Sequence, residues 1–171
     1  MKTVGLMFIS FLLLLSACGS AEPSLSGEAD SETQRSPDIT GYVMDQQDDQ
    51  ILVVTPKDPA SSGTMRAVWV SDAADDLWIG KQVEVWLDGP VQESFPEQGK
   101  AEQVAVLEMS DVDGADLQVT EALSSVLSSV ASEDILSVDL ISFDPDADEW
   151  TVKLTELGTG SHLKEIIADK K

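Results

Sequence analysis

The chain has 171 residues, with 32 Asp and Glu against 10 Lys and Arg and a formal net charge of −22. This balance excludes nucleic acid as a partner, since such binding rests on Lys and Arg neutralising phosphate, and argues against electrostatic docking on anionic lipid. One cysteine and one histidine exclude an internal disulfide and zinc sites of the usual composition.

The chain opens with a positive residue, Lys2, and then an apolar run from Val4 to Leu15. That run is roughly a dozen residues, too short for a permanent helix across a ~30 Å hydrocarbon core, and reads as the apolar region of a secretory signal peptide. Leu15-Ser16-Ala17-Cys18 follows and has the form of a lipobox. Two small residues fit a narrow peptidase pocket, and the thiol of the new first residue accepts a diacylglyceryl group. The expectation is a signal peptide over 1–17, lipidation at Cys18, and a partner in the lipid bilayer reached through that lipid. Two acyl chains supply what stable anchoring needs. The plainer alternative is an ordinary signal peptide in which Cys18 is incidental.

Residues 18–37 are rich in Ser, Glu, Gly and Pro, with Leu25 the one large apolar side chain. Such a segment buries too little surface to offset its ordering entropy, and is expected to be a flexible tether. Gly19 stands where an inner-membrane retention signal places aspartate, which points to a Gram-positive source and the outer face of the cell membrane. The acidic surface is either a site for a basic partner or cations, or a solvated coat suited to salty surroundings.

From Ile39, β-type runs separated by turn residues cover 39–44, 51–54, 67–70, 83–87 and 103–107. Asp45 to Asp49 makes a polar turn, and Asp88-Gly89-Pro90 ends the fourth run. A short helical turn is expected over 71–78 with Ser71 as N-cap. Five antiparallel strands with a helical segment between the third and fourth is the order of an OB-like barrel over 38–109. A meander and an SH3-like barrel are the competing arrangements.

The runs Gly41-Tyr42-Val43, Ile51-Leu52-Val53-Val54, Ala67-Val68-Trp69-Val70-Ser71 and Ile79-Gly80-Lys81-Gln82-Val83-Glu84-Val85-Trp86 occur in this order, followed by Asp88-Gly89-Pro90-Val91 and Ser94-Phe95-Pro96. Together, over about 38–108, they resemble the YobA-like domain of small lipoproteins from Bacillus and its relatives. The resemblance implies an extracytoplasmic lipoprotein with a small β-domain, and no activity.

The connection 91–99 is the best functional candidate, because OB folds often bind through this loop and the adjoining barrel face. Trp86 and Phe95 are candidates to stack on a flat ligand, with Ser94 and Gln98 as hydrogen-bond donors. The competing reading is a turn fixed by Pro90 and Pro96, with both aromatic rings packed on the barrel.

Residues 112–171 read as a small α+β unit. Leu123, Val126, Leu127 and Val130 mark an amphipathic helix over about 117–131. Alternation over 136–141 and 150–155 predicts a hairpin turning at Asp144-Pro145-Asp146-Ala147-Asp148. Ser161 caps a predicted short helix carrying Leu163, Ile166 and Ile167. The fold class is therefore mainly β with an α+β C-terminal part: a five-stranded OB-like barrel followed by a helix–β-hairpin–helix unit, the latter faintly similar to PepSY-type modules.

Chemistry is sparsely signalled. Asp144-x-Asp146-x-Asp148 begins like a calcium loop, but Glu149 stands where Gly is needed and Thr155 where the bidentate Glu belongs. A Ser–His–Asp triad would have to use His162, and no Gly-x-Ser-x-Gly elbow exists. No catalytic residue, metal ligand or cofactor site is assigned. The expected role is a non-catalytic binding or interaction module of the cell envelope, with an envelope protein or a small ligand as partner. The second reading is a regulator of an extracytoplasmic peptidase or folding factor, acting through the C-terminal unit.

Overall fold

The computed structural model describes residues 35–57, 65–73, 76 and 78–170, and Arg35–Lys171 form one compact unit. The signal peptide, Cys18 and most of the tether lie outside the described residues. At the tether's expected end, Arg35 is held in place. Its guanidinium bonds Asp38 Oδ2 at 2.7 Å and the Leu87 carbonyl at 3.1 Å.

Five strands close a barrel: β1 (Ile39–Gln47), β2 (Gln50–Val54), β3 (Ala67–Ser71), β4 (Gln82–Leu87) and β5 (Glu97–Val106). Their order is β1-β2-β3-β5-β4, closed by pairing of β4 with the first half of β1. At Gly41 a Cβ would run into the Val54 carbonyl, so only glycine lets β1 bend from one neighbour to the other. Just beyond, a bulge between Val43 and Asp45 shifts the register of β1 against β2. Bulges of this kind tighten the local twist that closure demands.

Three expectations for the barrel need correction. The β3–β5 pair is parallel, Val68 facing Glu97 and Ser71 facing Lys100, so the strands are not all antiparallel. β5 starts at Glu97 rather than 103, because the free edge of β3 must be covered to close the barrel. This need outweighs the polar character of Gln98 to Glu102. Ser71 is the last residue of β3, its hydroxyl 3.4 Å from the Gly99 carbonyl, and the helical turn it was expected to cap falls partly on residues outside the description.

After the barrel come α1 (Val119–Ser129) and a three-stranded antiparallel sheet, β6 (Leu136–Asp144), β7 (Glu149–Glu156) and β8 (His162–Ala168). The helix begins with Glu121 Oε2 accepting the Gln118 N–H at 2.8 Å, half of a capping box. The Asp169 carboxylate is buried and accepts the N–H groups of Asp116 and Leu117 and the Trp150 indole N–H. The end of the sheet thereby fixes the entry to the helix.

The C-terminal unit is thus a helix on three strands, not a helix–hairpin–helix. The segment 162–168 was expected to be helical, since Leu163 and Ile167 share a helical face. The same pair also shares one face of a strand, two steps of period two apart. A helix this short is marginal alone, whereas the edge of β7 offers a ladder from Glu149 to Thr155, and the ladder prevails.

Two cores result. Inside the barrel lie Val43, Ile51, Val53, Val68, Val70, Val83 and Val85. The second core joins the barrel's outer face, through Met44, Leu52, Val54 and Ala67, to Leu123, Val126, Val138, Val152 and Leu154. Ile51, Leu52, Val53 and Val54 are all buried, so β2 contributes alternate side chains to each core. Backbone bonds stitch the same junction, Lys57 N–H to the Val138 carbonyl at 3.0 Å and the Ser137 hydroxyl to the Thr55 carbonyl at 3.0 Å.

Leu123 lies fully buried in the second core. Leu123→Ala is expected to lower unfolding free energy by about 3 kcal/mol, the mid-range for a buried leucine deletion, measured by urea denaturation.

Candidate functional site

The turn between β4 and β5 is built from its own backbone. Gln92 and Gln98 form an isolated antiparallel bridge, with Gln92 N–H donating to the Gln98 carbonyl at 2.8 Å. Inside it, the Ser94 hydroxyl donates to the Pro96 carbonyl at 2.6 Å, and the Phe95–Pro96 peptide is cis. Phe95 is 65% exposed.

What holds the turn in place is Arg66. Its guanidinium forks onto Glu97, Nε to Oε1 at 3.1 Å and NH2 to Oε2 at 2.6 Å, and its remaining NH1 donates to the Asp38 carbonyl at 2.9 Å. One side chain thus joins the starts of β1, β3 and β5. The hydrogen bond from Arg66 holds the Glu97 carboxyl below its ordinary carboxylate range. Asp38 is lowered too, first by the hydrogen bond from the Leu87 N–H.

The four candidate residues do not converge on one point. Ser94, Phe95 and Gln98 share the turn, and Gln98 pairs with Trp69 of β3. Trp86 pairs with Gln103, five residues further along β5, about 16 Å of strand. Its indole N–H donates to the Arg35 carbonyl at 2.6 Å, holding the chain entering the barrel. The Ser94 hydroxyl likewise serves the turn, so the groups facing solvent are the Phe95 ring and the Gln98 side-chain amide.

Pro96 ends the turn and lines a groove of about 520 Å³ between barrel and helix. Met44, Leu52 and Trp69 form its barrel wall with Pro96, and Leu127 and Ile135 face them. The carboxylates of Asp45, Glu133 and Asp134 line it as well, with no Lys or Arg among the described lining residues. An apolar body carrying a positive charge suits such a lining. Reading the sequence alone missed Trp69, because an aromatic side chain in an apolar strand looks like core. Only the pairing with Gln98 brings it beside the turn.

His162 and the acidic turn are structural in their contacts. His162 Nδ1 lies 2.8 Å from the Thr155 hydroxyl, which contacts Asp139 Oδ2 at 2.7 Å. Thr155 is buried, so its oxygen presents no nucleophile to solvent. Asp144 Oδ1 accepts the Asp146 N–H at 3.0 Å, forming the hairpin turn between β6 and β7. No group of three or more His, Cys, Asp or Glu suited to a metal ion occurs among the described residues, and no described helix is long and apolar enough to cross a membrane.

Residues 40–108 match the model of a family described as a protein of unknown function, DUF3221. The match takes in all of β2 to β5 and the candidate turn, and leaves the helix and C-terminal sheet outside. No curated protein and no solved structure matches the chain.

A carboxylate whose folded pKa is lowered adds stability above its unfolded pKa, and that stability is lost as pH falls through the folded value. The thermal midpoint is therefore expected to drop as pH falls below the ordinary Glu value of 4.5. Glu97→Gln should melt lower than the native chain at neutral pH, with the difference shrinking in acid, as read by circular dichroism melts.

Proposed function

We propose that the protein is a membrane-anchored extracytoplasmic lipoprotein, cut before Cys18 and held by diacylglyceryl lipid, that serves as a non-catalytic binding module of the cell envelope. The observation that carries the binding role is Phe95. A large aromatic side chain stands 65% exposed on a turn braced by its own hydrogen bonds, next to a groove with an aromatic and aliphatic wall and an acidic rim. Leaving it in water has no packing return, and aromatic side chains are enriched where proteins bind partners.

The barrel's strand order, with β1 shared between β2 and β4 and β3 parallel to β5, supports the OB-like reading, in which the loop between the fourth and fifth strands is a binding element. The family match over 40–108 is compatible with a YobA-like protein. A second reading, regulation of an extracytoplasmic peptidase or folding factor through the C-terminal unit, draws support from the open outer edge of β8.

Two variants test the proposal. Cys18→Ala is expected to move the protein from the membrane fraction to the medium on cell fractionation, and retention at the membrane would count against lipid anchoring. Phe95→Ala is expected to keep the native thermal midpoint while losing partners cross-linked through a photoreactive group placed at Gln98. Lowered stability with unchanged cross-linking would make Phe95 a packing residue instead.

A further inference from the structure

The ladder between β7 and β8 fixes which backbone groups of β8 are taken. Glu156 N–H donates to the Ser161 carbonyl and Asp169 N–H to the Asp148 carbonyl, each at 2.9 Å. Antiparallel pairs alternate between bonded and non-bonded positions, so 163, 165 and 167 bond back to β7. The N–H and C=O groups of His162, Lys164 and Ile166 face the open side. No other described backbone group takes them up.

The side chains of the same three residues stand exposed on the outer face of the sheet. Lys164 lies directly opposite Lys153, which lies opposite Leu140. Like charges facing across a ladder are destabilising. In a chain with 32 acidic residues, neither lysine has an ion-pair partner among the described residues. Asp139, at one end of this face, is engaged with Thr155 and His162, and Glu165 of β8 points to the other face. Leu140 and Ile166 complete the patch, 41% and 51% exposed.

We propose that the edge of β8 is a strand-addition site for an extended acidic segment of another protein, one that alternates carboxylates with apolar side chains. Main-chain hydrogen bonds to the three free residues give affinity, and the side chains give selection, as in β-augmentation generally. A carboxylate opposite Lys164 relieves the lysine pair, and the alternate apolar side chains fall on the other face of the added strand, extending the side of β8 that carries Leu163 and Ile167. A lysine on an edge strand also deters chance pairing, but Lys153 sits in the middle strand and guards no edge.

A second copy is the competing occupant. A two-fold axis at Lys164 would set that lysine against itself and one at Leu163 would set His162 against Lys164, while axes at His162 or Ile166 would place Gly160 or Ala168 opposite Lys164 and so leave the Lys153–Lys164 pair unrelieved. The surface shares no residue with the groove below Phe95, and stands or falls without it.

The test is fluorescence anisotropy of a short labelled peptide of alternating Glu and Val, titrated with the full chain. It is expected to bind, while its Lys/Val counterpart and a copy with alternate backbone nitrogens methylated do not. Lys164→Glu, an exposed substitution whose fold is checked by circular dichroism, should weaken the Glu/Val peptide about tenfold and allow the Lys/Val peptide to bind. Absence of binding, indifference to N-methylation, or indifference to Lys164→Glu overturns the proposal. So does a dimer on sedimentation that Lys164→Glu abolishes, since the occupant would then be a second copy.

Discussion

The structure depends on β2 being buried on both faces. Ile51 and Val53 fill the barrel, while Leu52 and Val54 belong to the core shared with α1, β6 and β7. A half-exposed strand in a barrel wall alternates apolar and polar residues. β2 does not, so the barrel cannot present this side to water without exposing Leu52, Val54, Met44 and Ala67 together. The C-terminal unit is the cover that the barrel requires, and its own Leu123, Val126, Val152 and Leu154 have no other place to be buried. Burial at roughly 25 cal/mol per Å² of apolar surface makes this joint core one of the chief contributions to stability.

That cover determines what remains available for function. Two of the openings that remain bear on binding. One is the groove where the barrel and the helix fail to meet fully, beside the turn that Arg66 holds through Glu97. The other is the far edge of the covering sheet, where β8 has a neighbour on one side only. The β8 edge lies on the far side of the sheet from the junction of Thr55 and Lys57 with β6, so a partner there leaves the shared core intact, whereas the groove is walled in part by Met44 and Leu52 of that core. The family match stops at the end of the barrel, and the surfaces therefore divide. The Phe95 turn belongs to the matched part, and the β8 edge to the part outside it.

Periodicity made the barrel strands legible, and Leu123, Val126, Leu127 and Val130 made α1 legible, because each pattern matches one structure only. The hairpin of β6 and β7 was equally clear from alternation across Asp144 to Asp148. β8 was not, since Leu163 and Ile167 suit a helix and a strand alike and only the free edge of β7 decides between them. The first half of β5 was hidden for a related reason. Gln98, Gly99 and Lys100 carry no strand pattern, and their conformation comes from closing the barrel against β3. Of the candidate residues, Phe95 and Gln98 reach solvent as the loop position suggested, whereas Trp86 and Ser94 hydrogen-bond to carbonyls that no local pattern identifies. The unbroken apolar run at 51–54 did hold a readable signal of two-sided burial, and with it of a second layer over the barrel.

The central claim is that barrel and C-terminal unit fold as one through β2. Native-state hydrogen exchange followed by mass spectrometry tests it directly, by comparing the opening free energies of peptides from β2 and β7. The account predicts that both open only with the whole unit, at the same free energy and with the same response to low denaturant. Exchange of β7 at a distinctly lower free energy, with β2 still protected, would show a barrel that stands without its cover and would contradict the account.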